Sequence, residues 1–215
     1  MSARPARRSP AGTRRTGRSR TVLLAAVATV GASVLSACGP GGSSDGSGSG
    51  SSSGAGFVPG KDRMATVPAA DRKAAPDLSG TTTRGKPLDI ADHKGKVVVL
   101  NVWSSTCGPC IAEAPGFAKV AKSTRGQGVR FVGINTEDTD TAQALAFEER
   151  HKVPYPSLSD PSGKLLLRFP KGTLNPQFIP ATIVLDKKGR PAARAVGPVD
   201  EGALREMIDP LVREK

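Results

Sequence analysis

Cys107-Gly108-Pro109-Cys110 stands just beyond the apolar run Lys96-Val97-Val98-Val99-Leu100-Asn101-Val102-Trp103. Few folds put two cysteines in that setting. The pattern demands a buried strand that hands a Cys-x-x-Cys to the first turn of a helix. Two intervening residues let both sulfurs lie in one helical turn, close enough to bond. The N–H groups at a helix start lack partners and carry a partial positive charge, so they favour a thiolate on the first sulfur. The thiolate is the attacking species, and the placement therefore predicts dithiol/disulfide exchange.

Other uses of two cysteines fit less well. Half a zinc site needs a second half, but the only other cysteine is Cys38, and His93 and His151 lack ligand spacing. A structural disulfide closing so short a loop would remove little chain entropy. A peroxidatic cysteine would want a Thr/Ser-Arg activation pattern around Cys107, and none is evident there.

Composition takes the first third of the chain out of the fold. Residues 1–20 hold seven arginines and no acid, and Thr21 to Ala37 is uncharged and mostly apolar. That is a basic n-region followed by an h-region, too short for a membrane span, so residues 1–37 read as a signal peptide. Arg7-Arg8 and Arg14-Arg15 suggest a twin-arginine signal, but the residues after each pair fit it poorly. Leu35-Ser36-Ala37-Cys38 resembles a bacterial lipobox, which makes Cys38 the expected site of lipidation and of a membrane anchor. An ordinary Ala-rich cleavage site, with Cys38 a bystander, is the plainer alternative. Residues 39–56 contain eight glycines and seven serines, which cannot bury a core, so residues 38–75 read as a flexible tether. The formal charge of +12 misleads. Without the leader arginines 24 basic and 19 acidic residues remain, a net +5, and no basic run sits beside aromatics as nucleic-acid binding requires.

Residues 76–215 read as one folded domain. Residues 77–80 and 86–90 form a hairpin about Arg84-Gly85, and Val97–Trp103 is a strand buried on both faces. A helix from about Cys107 to Arg125 follows, stopped by Gly126, lined on one face by Ile111, Ala114, Ala118 and Ala121 and bent by Pro115. Val129–Asn135 is a second buried strand. Asp140-Thr141-Ala142-Gln143 has the form of a capping box for a helix to about Arg150. Residues 155–158 suggest a short strand and residues 165–169 a short helix. Thr182–Leu185 and Ala192–Val196 flank the hairpin signal Asp186-Lys187-Lys188-Gly189. A last helix from Asp200 buries Leu204, Ile208 and Leu211. This order makes an α/β layer fold.

With that order of elements the chain resembles the thioredoxin superfamily, and within it the TlpA/ResA-type membrane-tethered thiol-disulfide oxidoreductases. The likeness spans residues 76–213. It rests on Asn101-Val102-Trp103, on Cys107-Gly108-Pro109-Cys110, on Glu113 and Pro115, and on Ile179-Pro180-Ala181-Thr182. It implies a thioredoxin-like fold, a central mixed sheet flanked by helices, with an N-terminal β-hairpin and a TlpA-type insertion between Thr136 and Phe169. By the same resemblance Pro180 is a cis-proline facing the disulfide, Ile179 offers its backbone to a client strand, and Trp103 helps to hold the client. From sequence alone Pro180 also fits an edge or strand-entry proline. Thioredoxins place a buried aspartate under the pair, where this chain has Asn101. The resemblance therefore gives the proton of Cys110, the resolving thiol, to Glu113, which otherwise reads as a solvated helix carboxylate. One departure stands out: the usual tryptophan before the first cysteine is Thr106.

The expected activity is exchange with cysteines of secreted proteins, Cys107 attacking and Cys110 resolving, with no cofactor and no metal. The implied partners are a secreted or membrane-bound cysteine-containing client, such as apocytochrome c, and a membrane thiol electron donor. The implied location is the extracytoplasmic face of the cell membrane, held by the lipid on Cys38. The Gly-Pro dipeptide is that of thioredoxin, at about −270 mV against about −120 mV for DsbA, and favours reduction over oxidation or isomerisation. A non-enzymatic copper or partner-binding module is the rival of another class, weakly supported by His93, His151 and three methionines.

Overall fold

The computed structural model describes residues 55–61 and 63–215. The expected signal peptide, Cys38 and the Gly/Ser-rich first part of the expected tether lie outside the described residues. Nine strands follow in chain order: β1 (Val58–Pro59), β2 (Met64–Thr66), β3 (Ser79–Thr81), β4 (Pro87–Asp89), β5 (Val97–Trp103), β6 (Val129–Thr136), β7 (Ser157–Asp160), β8 (Ala181–Leu185) and β9 (Pro191–Val196). Three α-helices join them: α1 (Gly108–Thr124), α2 (Thr141–Arg150) and α3 (Glu201–Arg213).

The apolar run at 97–103 becomes the central strand. Seven strands form one sheet in the order β1-β2-β9-β8-β5-β6-β7, and β3 and β4 form the expected hairpin beside it. β5 runs parallel to β6 and antiparallel to β8, and β7 runs parallel to β6. The sheet is therefore mixed, with α2 and β7 supplied by the segment expected as an insertion. Alternate residues of β5 serve two cores, as the two-residue period of a strand requires. Val97 and Val99 pack with Phe117, Val120, Leu204 and Ile208, while Val98, Leu100 and Val102 pack with Ile134, Leu158 and Ile183. Leu100 is wholly buried, and truncating it to alanine is expected to cost about 2–5 kcal/mol.

Four expectations need correction. Ordered structure begins before Pro76: β1 and β2 extend the sheet past β9, and Phe57, Ala65 and Val67 are buried. The Arg72 guanidinium is bidentate to Glu214, at 2.7 and 2.9 Å, and lies 3.3 Å from buried Asp186. The region expected as free tether up to residue 75 is thus locked to both the β8–β9 turn and the C-terminus. Within α1, Ile111 points outward at 38 % exposure, because Cys110, Ala114, Phe117 and Ala121 hold the inward positions one turn apart. That helix ends at Thr124 rather than Arg125, passes through a 3₁₀ turn, and closes at Gly128, whose φ of 80° suits glycine. The strand expected at 155–158 lies at 157–160, since Pro154 and Pro156 have no N–H to give a ladder.

Candidate active site

The site grows from the C-terminal end of β5. After Trp103 the chain makes a three-residue loop, and Cys107 then caps α1 with extended backbone, φ −75° and ψ 106°. Its Sγ accepts the N–H of Cys110 at 3.2 Å, so the first sulfur occupies the place of an N-cap oxygen. Pro109 sits in the first turn, where its missing N–H is no loss. The two sulfurs are bonded at 2.02 Å, with Cα atoms 5.2 Å apart. Cys107 is half-buried and Cys110 fully buried, so an incoming thiol or disulfide meets Cys107. The helix end also favours a thiolate there on reduction.

Glu113 lies one turn beyond Cys110, on the buried side of α1 and only 7 % exposed. β5 places Asn101 on the face that carries Val97 and Val99, towards α1. Asn101 Nδ2 donates to Glu113 Oε1 at 2.9 Å, and the Val199 N–H donates to Oε2 at 3.2 Å. Burial outweighs these two bonds and pushes the carboxyl up to about 7. A cleft of about 500 Å³, lined in part by Glu113, Gly116, Val199 and Glu201, opens this region to solvent. The helix therefore carries a resolving cysteine and, one turn on, a carboxyl group poised to exchange protons near neutral pH. The solvated-carboxylate alternative for Glu113 does not hold.

The Ile179–Pro180 bond is cis, as the resemblance implies. Ile179 packs against the cluster of Trp103, Cys110 and Phe147, beside Cys107. The Pro180 carbonyl accepts the Gly197 N–H at 2.9 Å, which ties the loop to the end of β9. Phe178, just before it, stands 58 % exposed. Trp103 corrects its expected place: it is 2 % exposed and stacks on Phe147 at 4.3 Å between ring centres, so it supports the pair from below and offers a client no face. Gly133 on β6 makes room for this packing. A Cβ there would lie 2.3 Å from Ser157 Oγ and 2.7 Å from Trp103 Nε1, too close for any side chain. Thr106 is exposed, its hydroxyl 3.3 Å from Ser104 Oγ.

One residue at the site was not foreseen. Buried Asp138, just past β6, accepts from Ser105 N at 2.9 Å, Ser105 Oγ at 2.8 Å and Ser104 Oγ at 3.3 Å. Asn135 Nδ2 donates to it at 2.6 Å. The signal for it was available: parallel neighbours β5 and β6 bring the loops at their C-terminal ends together, and Trp103 pairs with Asn135.

The profile of the AhpC/TSA family matches residues 72–191. The thiol:disulfide interchange protein DsbE of Pseudomonas aeruginosa is 33 % identical over 138 residues, 64 % of this chain and 72 % of that protein. The thiol-disulfide oxidoreductase ResA of Bacillus thuringiensis is 28 % identical over 142 residues, 66 % of this chain and 76 % of its own. Among solved structures, a secreted thiol-disulfide isomerase from Corynebacterium glutamicum superposes with a TM-score of 0.68 at 30 % identity, covering 73 % of this chain and 96 % of that one.

Proposed function

Because the chain belongs to the thioredoxin-like AhpC/TSA family and is a thiol-disulfide oxidoreductase, we propose that it reduces disulfides of client proteins on the extracytoplasmic side of the membrane. The observation that carries the direction is Glu113, a buried carboxyl one helical turn beyond the resolving cysteine, pushed by burial up to about 7. When ionised it opposes a second negative charge on the reduced pair. The reduced pair then gains little from ionisation, which makes the protein a donor of electrons.

The cycle balances as a two-electron transfer. The Cys107 thiolate attacks one sulfur of a client disulfide, breaks that bond and releases one client thiolate, which takes a proton from water. Cys110 gives its proton to Glu113 and attacks Cys107 Sγ. The mixed disulfide breaks, the Cys107–Cys110 bond forms, and the second client sulfur leaves as a thiolate that takes a proton from water, while Glu113 returns the Cys110 proton to solvent; the client is then a dithiol. A membrane-bound thiol donor restores the reduced pair. Exposed Ile111 and Phe178, each next in sequence to a residue of the site, give a client chain apolar surface beside Cys107. The lipid on Cys38 would keep this cycle at the membrane, and apocytochrome c is the client that the TlpA/ResA resemblance suggests.

Cys110→Ser expressed in cells tests the reading. It should accumulate a mixed disulfide with a secreted or membrane-bound client that is reduced less in its absence. Clients that instead lose their native disulfides when this protein is deleted would support oxidation or isomerisation. That second reading draws on the C. glutamicum isomerase.

A further inference from the structure

We propose that Asp138 tunes the reactivity of Cys107, as an anion fastened to the loop that delivers that sulfur to the end of α1; the proposal rests on the exchange reading above. The carboxylate is buried, and its donors, two serine hydroxyls, one backbone N–H and one amide, are all neutral. Among the described residues no cation pairs with it within salt-bridge distance. A charge buried without a cation is costly unless hydrogen bonds hold it; four neutral donors hold this one, on the loop that delivers Cys107.

The connection to Cys107 is short. Ser104 donates its hydroxyl to Asp138, and its carbonyl accepts the Cys107 N–H at 3.3 Å. Asp138 and the Cys107 N–H are thus held by the same residue, Ser104, one through its hydroxyl and the other through its carbonyl. Glu137 supports the placement: it adopts φ 65°, a left-handed conformation uncommon for a residue with a Cβ, and its N–H donates to the Pro161 carbonyl at 3.2 Å. The chain turns there, at the end of β6, to set the next side chain against Ser105. A carboxylate held in the interior near a thiol disfavours its ionisation, by roughly tenfold as an order of magnitude. Asp138 opposes the pull of the helix end on a Cys107 thiolate, and so keeps the reduced pair from being over-stabilised. Two further ionisable groups stand on the packed elements, Glu113 on α1 and His151 against Phe147; the variants below leave both in place.

Asp138→Asn isolates the charge. With its new amide nitrogen in the place of Oδ1, the remaining oxygen still accepts from the Ser105 N–H and Asn135 Nδ2, and the Ser104 and Ser105 hydroxyls can turn to accept from the new amide. Ser105→Ala is the control that removes one bond and leaves the charge. Both are made in the full chain, reduced, and treated with iodoacetamide at pH 7, with the thermal midpoint of the oxidised protein as the check on folding. Asp138→Asn should alkylate at Cys107 faster than the parent and should shift its equilibrium with dithiothreitol towards the reduced protein, the two factors multiplying to about tenfold. Ser105→Ala should stay within about twofold of the parent on both. Parental rates in Asp138→Asn, or an equal change in Ser105→Ala, would overturn the proposal. Alkylation needs no client, so failure here is distinct from failure of the exchange reading, which appears as absence of mixed disulfides in Cys110→Ser.

Discussion

Glu113 holds a carboxyl where burial favours its neutral form, and that has a measurable consequence. Its value rises from an ordinary 4.5 to about 7 on folding, so the folded state binds the proton more tightly than the unfolded chain. The contribution to stability is full below about pH 4.5 and is lost as pH rises through about 7. At about 1.4 kcal/mol per unit this is roughly 3 kcal/mol between pH 4.5 and 8. Urea unfolding of the oxidised protein across that range should show the decline, and Glu113→Gln should flatten it. A variant with the parental slope would contradict the assignment. The same substitution should slow release of a mixed disulfide from Cys107 more than its formation, because Cys110 then lacks its proton acceptor. Gly133 admits an equally direct test. Gly133→Ala should displace Trp103 or Ser157 and lower stability by about 1–3 kcal/mol, read from the denaturant midpoint.

At the scale of elements, the strand–loop–helix at 97–124 was legible because its signals are local: an uninterrupted apolar run and two cysteines at a helix start. The hairpin of β8 and β9 and the amphipathic α3 were legible for the same reason. β1 and β2 were not, since strands of two and three residues carry no period, β2 joins the sheet only through β9 and β1 only through β2. Neither was the outward turn of Ile111, which depends on Cys110 holding the inward position. Asp138 was missed because its contact with Ser104 and Ser105, more than thirty residues away, follows only once β5 and β6 are set side by side. The N-terminal segment, once seen, makes its own prediction. Arg72→Ala removes the bidentate bond to Glu214 and one of the two cations on Asp186, leaving Arg190 at 2.8 Å. A loss of about 1–3 kcal/mol is expected. The Arg72 bond holds the Glu214 carboxyl below its usual range, so part of this loss should fade at acid pH as that group protonates. Limited proteolysis should then cut before residue 76 in Arg72→Ala faster than in the parent.

For the whole molecule, the reading joins a reducing pair to a membrane address. Cys38→Ser should release the protein from membranes or stall its processing, and retention of a normally cleaved Cys38→Ser chain would count against the anchor. The direction of electron flow is the central claim, and the equilibrium of the Cys107–Cys110 disulfide with dithiothreitol and glutathione at pH 7 tests it most directly. The Gly-Pro dipeptide, Glu113 one turn beyond Cys110 and Asp138 bonded to the loop before Cys107 all argue for a pair that is hard to reduce, with a potential close to the −270 mV of thioredoxin (about ten millivolts changes the equilibrium constant about twofold). A potential near −120 mV, that of DsbA, would contradict the account and make the protein an oxidant of its clients.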